Sequence, residues 1–355
     1  MSPAAQELSR KISSRPKGGG ALLPLTILLI GTVFFATATG AVDLSLAVVA
    51  RIVLNAFPFL EWGGWEAAQE TIILSIRLPR VLLAVLIGGG LAVAGAALQA
   101  LFRNPMADPG IIGISSGGAL ASVVAIASGL SSHHPLALPS AAFAGALLSL
   151  FLVYSIGVRQ KTPSSETLLL SGIAVGIFMG AILSLILTRL DSNDALRETF
   201  FWLMGGLDGR GWPHLQAALW PIGIGSLGLL FFSRDLNILL LEGEGGAQTL
   251  GIELRYTRKM LLGLCALIIG AAVAFSGTIA FVGLIVPHMI RRWIGPNHRT
   301  LLPATFLSGG ILLVGADLLA RTLIAPEELR LGTITSLIGV PFFLHLLMQN
   351  RNKRT

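Results

Sequence analysis

Long, nearly uncharged apolar runs recur from end to end of this sequence, and that repetition constrains the fold more than any motif does. A helix crossing the hydrocarbon core of a bilayer needs about 20 such residues. We read the runs as ten spans, at 21–41, 77–103, 110–129, 136–158, 164–189, 213–232, 257–275, 279–292, 299–323 and 332–349. The run at 279–292 is short and reads as a partial or steeply packed helix. Composition supports the same class. Only 12% of the residues are charged and 54% are hydrophobic, against about a quarter charged in soluble domains. The surplus apolar surface has to face lipid. The expected fold is an all-α integral membrane protein.

The charges set an expected orientation. With the N-terminus in the cytoplasm, roughly two thirds of the 25 lysines and arginines fall on the inner side, as the positive-inside rule requires. Acidic residues lean the other way. The net charge of +7 is thus scattered over short loops rather than gathered on a polar domain, and a nucleic-acid partner is not expected. Arg10, Lys11, Arg15 and Lys17 precede the first run. A secretory signal ending near Ala36-Thr37-Ala38 is the alternative. A first span behind a cytoplasmic tail at 1–20 is favoured, because many spans follow. A single transmembrane domain then covers 21–349, and a basic cytoplasmic tail covers 350–355.

Two loops read as more than connectors. The outer stretch 190–212 has charges at Asp191, Asp194, Arg197 and Glu198 before Phe200-Phe201-Trp202, the pattern of a short interfacial helix. The inner stretch 233–256 is the longest cytoplasmic loop and could hold a short helix ending at Gly251. A weak repeat at an offset of 182 pairs Ile87-Gly88 with Ile269-Gly270, Gly95 with Gly277 and Pro105 with Pro287. It begins in spans of opposite direction, as an inverted repeat would. Gly172, Gly176 and Gly180 follow a small-xxx-small spacing. They serve either close helix packing or a face lining a pathway. Asn104-Pro105 and Val286-Pro287-His288 are expected to shape the inner face, since proline interrupts helix hydrogen bonding.

No catalytic or metal site is legible. The sequence has no G-x-x-x-x-G-K-[ST] phosphate loop and no H-E-x-x-H. The six histidines lack ligand spacing, and Cys265 lies alone in an apolar run. Asp317 is the one acidic residue deep in an apolar stretch, with Arg321 at i+4 as a possible partner. If this chain pumps, another chain supplies the energy.

Three segments carry a resemblance. They are Arg77-Leu78-Pro79-Arg80 leading through a Gly/Ala-rich span to Asn104-Pro105-Met106-Ala107-Asp108-Pro109-Gly110, then Phe281-Val282-Gly283 through Pro287-His288 to Arg291-Arg292, then Ala316-Asp317 through Arg321 and Glu328 to Gly332-Thr333. Together, over about 70–349, they resemble the FecCD-type permeases of iron-siderophore, haem and vitamin B12 importers. The resemblance implies a type II ATP-binding-cassette importer permease in a bacterial inner membrane, with ten spans per subunit. It implies a second copy of the chain, two ATPase subunits on the cytoplasmic face and a periplasmic substrate-binding protein as partners. ATP would be used by the ATPase subunit, with no cofactor held permanently here. By the same resemblance, Arg77, Arg80 and Arg321 would dock the binding protein. Gly243, Glu244, Ala247, Gln248, Leu250 and Gly251 would form the coupling segment. The fifth span and the helix after it, with Leu196 and Trp202, would gate the pathway. The segment Asp194–Gly205 looks most like haem-importing members, so haem is the expected cargo, with ferric siderophores and cobalamin as alternatives. A secondary transporter would need intramembrane carboxylates, which are sparse here.

Overall fold

The structure, a computed structural model, describes residues 19–351 apart from 41, 43, 56–62, 111, 158–164 and 191. It is helical throughout its regular parts. In chain order the helices are α1 (Gly19–Ala38), α2 (Leu46–Asn55), α3 (Ala67–Leu101), α4 (Ile114–Ala127), α5 (Ala137–Gly157), α6 (Ser165–Leu187), α7 (Asn193–Leu203) and α8 (Trp212–Phe231), followed by α9 (Ser233–Thr249), α10 (Leu254–Ser276), α11 (Val282–Ile294), α12 (His298–Thr322) and α13 (Leu331–Arg351).

Each of the ten expected spans has a helix. Among the described residues, seven of these (α1, α3, α5, α6, α8, α10 and α12) are long and apolar enough to cross a membrane. The other three counterparts are α4, α11 and α13. α4 has 14 residues, so it rises about 21 Å at ~1.5 Å per residue, short of the ~30 Å hydrocarbon thickness. α11, with 13 residues, is the partial helix expected at 279–292.

α3 is the core. From Pro79 to Leu101 almost every residue is buried, under α12, α8, α10 and α11, with α1 outside α12. α4 and α5 pair as a flanking layer against α10, and α6 packs chiefly on those two. The helix crossings rest on small residues, because lipid gives no hydrophobic drive for helices to associate. Gly88 and Gly309 oppose each other across α3 and α12, and a Cβ at either would meet the other's carbonyl.

Two local features depart from the sequence reading. α3 starts at Ala67 rather than near 77. Gln69 Oε1 accepts from Glu66 N at 3.2 Å, which satisfies one early donor. The stretch Thr71–Arg77 is π-helical, with Leu78 N donating to Ile73 O. Pro79 explains the widening, since its ring would crowd the carbonyl four residues earlier in a regular helix. Pro287, expected to interrupt helix hydrogen bonding, sits inside an otherwise continuous α11. Its missing N–H leaves Gly283 O unbonded within the helix, and Gln99 Nε2 of α3 donates there and to Leu284 O, both at 3.3 Å. A break becomes a helix-to-helix hydrogen bond. Pro105 instead lies in the irregular turn after α3, so the two prolines of the proposed repeat occupy unlike backbone.

That turn holds a titrating group. Asp108 Oδ1 accepts from Gly110 N at 2.8 Å. Burial nonetheless pushes the carboxyl up to about 6 from its ordinary 3.8, against the opposing effect of that bond. A folded-state value above the unfolded one means that the native chain holds a proton the unfolded chain has lost. Stability from this group is full below about 4 and is lost as pH rises through 6. Asp108→Asn keeps the acceptor and removes the charge. We expect equal melting temperatures at pH 4 and a more stable variant at pH 8, by up to about 3 kcal/mol. A pH-independent difference in thermal melts would contradict this.

Candidate functional site

The charged residues gather at the two ends of the bundle. At the α7 end, three arginines and three carboxylates form one network. Asp317, on α12, is 1% exposed. Its Oδ1 accepts from Arg80 Nε at 3.0 Å and Nη2 at 2.9 Å, and its Oδ2 accepts from Arg321 Nε at 2.9 Å. The i+4 partner expected from sequence is present. Arg80, on α3, is a second partner 237 residues away. Arg80 continues outward to Glu328, at 3.2 and 2.8 Å, and to Asp208 Oδ1 at 3.4 Å. Asp208 also accepts from Arg330 Nη1.

Arg77 and Arg321 perform a different task at the same place. Arg77 Nη1 donates to Thr37 O at 3.1 Å and Ala38 O at 2.7 Å, and its Nη2 donates to Val42 O at 2.5 Å. Arg321 donates to Thr39 O at 3.2 Å and Ala36 O at 3.0 Å. The last carbonyls of α1 lack intrahelical partners, and the helix dipole puts negative charge there. Two guanidiniums from α3 and α12 cap that end. Gly40 lets Arg77 approach, because a Cβ there would meet the guanidinium at 2.7 Å. The three arginines singled out in the sequence are thus brought together but turned inward. They are 7%, 9% and 7% exposed at Arg77, Arg80 and Arg321. Only Glu328 and Asp208, at 36% and 39% side-chain exposure, lie at the rim.

At the opposite end, α9 is two helices joined at Gly243, whose φ of 69° and ψ of −167° are non-helical. The left-handed value favours glycine, and the Arg103 guanidinium occupies the space a Cβ would take, at 2.5 Å. The second piece ends as the sequence suggested. Gly251 has φ 82°, and Ile252 N donates back to Ala247 O at 3.0 Å, a Schellman closure. Glu244 pairs with Arg258 of α10 at 2.6 Å. Ala247 is buried, while Gln248 and Leu250 are exposed. The joint at Gly243 therefore meets Arg103, in the turn after α3, and the short helix is tied to the foot of α10 through Arg258.

The expected gate residues fall in two settings. Gly172 and Gly176, on α6, lie against Ile112, Gly113 and Ser116 at the start of α4, whereas nothing lies within 4 Å of a Cβ at Gly180. The glycine spacing therefore serves packing at its first two positions and leaves the third open. α7 starts at its Ser192 cap, whose hydroxyl accepts from Ala195 N at 3.3 Å. It carries Leu196 half-buried and Trp202 buried. Among the described residues, no group of three or more His, Cys, Asp or Glu could hold a metal ion.

Comparison with known proteins fits this architecture. The model of the FecCD transport family matches residues 27–349. A cobalamin import system permease of Halobacterium salinarum is 46% identical over 288 residues, covering 81% of this chain and 76% of that protein. The hemin transport system permease of Yersinia pestis is 41% identical over 354 residues, covering 98% of this chain and 100% of its own. An iron(3+)-hydroxamate import system permease of Bacillus subtilis is 37% identical and covers 92% of this chain and 96% of its own. The solved structure of an inward-facing metal-chelate type ABC transporter superposes with a TM-score of 0.81 at 31% identity, covering 93% of this chain and 99% of its own.

Proposed function

Because the chain belongs to the FecCD transport family, we propose that it is the membrane permease of a bacterial inner-membrane importer that carries haem inward, driven by a separate ATPase. The observation that carries the cargo reading is the α7 segment Asp194–Gly205, which resembles haem-importing members, together with end-to-end similarity to a hemin permease. Cobalamin is the second reading, favoured by the higher identity to the haloarchaeal permease.

The α7 end faces the periplasm in this proposal and the Gly243 end faces the cytoplasm, in keeping with the basic inner loops. The short helix at 244–249 seats in the ATPase. Because its joint at Gly243 meets Arg103, in the turn after α3, and Glu244 pairs with Arg258 of α10, a shift of the ATPase is passed toward the central span and its neighbour as a rigid-body movement. A second copy of the chain completes the pathway. α6, the fifth expected span and the gate of the resemblance, is the face offered to it; its Leu170, Ile177 and Phe178 are exposed in the single chain, as are apolar residues of α1, α5 and α8 that would meet lipid. Docking of a binding protein centres on Arg80. Arg77 and Arg321 are committed to α1, whereas Arg80 holds two rim carboxylates that a partner's carboxylate can replace with no loss of charge pairing.

The test is reconstitution of the chain in liposomes with its ATPase and a haem-loaded binding protein. Haem entry that needs ATP and all three components is expected. ATP hydrolysis with haem left outside, and cobalamin entering instead, would move the cargo to the second reading. Entry without the ATPase would sink the importer mechanism.

A further inference from the structure

A groove of about 480 Å³ runs along the flank of the bundle between α1 and α8, two helices that scarcely touch each other. Its floor is α3 and α12, at Leu86, Val93 and Phe306. Its walls are Thr26 of α1 and Leu219, Gly223 and Leu227 of α8. Leu219 and Leu227 are exposed, and nothing lies within 4 Å of a Cβ at Gly223, so the groove is open to the side. On α8 it extends from Leu219 to Leu230, about 16 Å at ~1.5 Å per residue. That is roughly half the ~30 Å hydrocarbon thickness, the depth of one leaflet. The groove occupies the half of α8 nearest α9 and the first three turns of α1 and α12.

At that depth the surroundings are hydrocarbon. An empty groove forfeits dispersion contacts along its whole lining. Water fills it poorly, since a buried water needs two to four polar partners. The polar side chains of the groove are Thr26 and Ser226, and the Thr26 hydroxyl already donates to Leu22 O at 2.9 Å. An acyl chain suits both the lining and the length. The end of the groove nearest α9 is basic. Arg299 precedes Leu302 and Pro303, two lining residues, by three and four positions and so shares their face of α12. Arg234 lies four residues beyond Leu230, at the start of α9. Asn237 joins these two helix starts: its Nδ2 donates to Asn297 Oδ1 at 3.1 Å, and its Oδ1 accepts from His298 N at 2.9 Å. Both arginines are exposed, and Asp235, beside Arg234, offsets one of the two charges. A basic residue at the membrane edge favours an anionic headgroup about fivefold.

We propose that this groove holds one anionic phospholipid, with an acyl chain laid between α1 and α8 and its phosphate at Arg299 and Arg234. The lipid belongs to the inner leaflet in the orientation proposed above. The opposite orientation would change the leaflet and keep the site.

The experiment is native mass spectrometry of the full chain, released from detergent after equilibration with equal amounts of dioleoyl phosphatidylglycerol and dioleoyl phosphatidylcholine. The two lipids share their chains and differ in net headgroup charge. Wild type is expected to retain one lipid per chain, the anionic one about tenfold over the zwitterionic. Gly223→Leu fills the groove from an open position and should abolish retention of both. Gly263→Leu is its control, an open and exposed glycine on α10 outside the groove, and should retain lipid as wild type does. The double variant Arg234→Gln with Arg299→Gln should keep a lipid and lose the preference. Thermal melts establish that each variant is folded. Equal retention of the two lipids by wild type overturns the proposal, as does undiminished retention by Gly223→Leu or equal loss in Gly263→Leu. If Gly223→Leu instead converts a two-chain mass into a one-chain mass, a second copy covers the groove and the lipid assignment falls. Retention in detergent needs neither ATPase nor cargo, so either result leaves the importer reading to its own test.

Discussion

Gly95→Val is expected to yield no folded chain, and Gly95→Ala a chain that melts far below wild type. Gly95 lies in the last two turns of α3, where a Cβ would strike the backbone of Gly283 on α11, with its carbonyl carbon at 2.5 Å and its Cα at 2.6 Å. Overpacking in an ordinary core costs about 1–3 kcal/mol because side chains give way. Here backbone opposes backbone. Gly283 is itself tightly seated, with the Pro109 ring 2.6 Å and Leu91 O of α3 2.9 Å from its own would-be Cβ. Gln99 ties the same turn of α11 to α3 through the carbonyl that Pro287 leaves free. Gly180→Ala is the control, because nothing lies within 4 Å of that position. Size-exclusion profiles and thermal melts in detergent read both. A Gly95→Ala chain that melts with wild type while Gly180→Ala does not would reverse our account of which glycines pack.

The apolar runs made the spans legible, since length and charge exclusion act on each run separately. What the runs could not disclose were pieces whose reasons are tertiary. α2 gives no span signal: its ten residues are too few to cross, and it buries Val49 and Ile52 with Ala38 and Ile73. The first turns of α3 were missed because Glu66, Gln69 and Glu70 dilute the apolar signal, while the π-helical stretch that joins them is a response to Pro79. Pro287 announces a lost helix hydrogen bond, but that Gln99 of α3 takes up the freed carbonyl is tertiary.

The candidate site divides in the same way. Asp317 and Arg321 are four apart on one helix and could be paired from sequence, but Arg80 is 237 residues from Asp317 and no local pattern joins them. The end of the short helix at Gly251 was readable, because a left-handed glycine closing a helix is local chemistry. Trp202 was singled out as part of a gate.

Asp317→Asn is expected to destabilise the chain by about 3–5 kcal/mol, the range for removing one partner of a buried ion pair. The variant nearly keeps the shape and loses the charge that lies between two guanidiniums, leaving Arg80 with its two rim carboxylates and Arg321 with no carboxylate pair among the described residues. Because Arg321 also caps α1, the loss should spread: α1 is held at this end by carbonyl contacts from Arg77 and Arg321, and its packing lies mainly against α12. Hydrogen exchange should therefore rise first at the end of α1. Glu328→Gln provides the contrast. It removes a carboxylate from the same Arg80 at the exposed rim, where a pair contributes about 0–1 kcal/mol. A small cost at Asp317 and a large one at Glu328 would place the lock at the rim and not in the core. The ordering also decides how docking is to be tested. A charge reversal at Arg77 or Arg321 uncaps α1 before any partner arrives, so loss of docking in such a variant reports a damaged fold. Glu328→Gln and Asp208→Asn leave the capping untouched and free Arg80. If Arg80 receives the partner, these two variants should dock the binding protein more tightly than wild type.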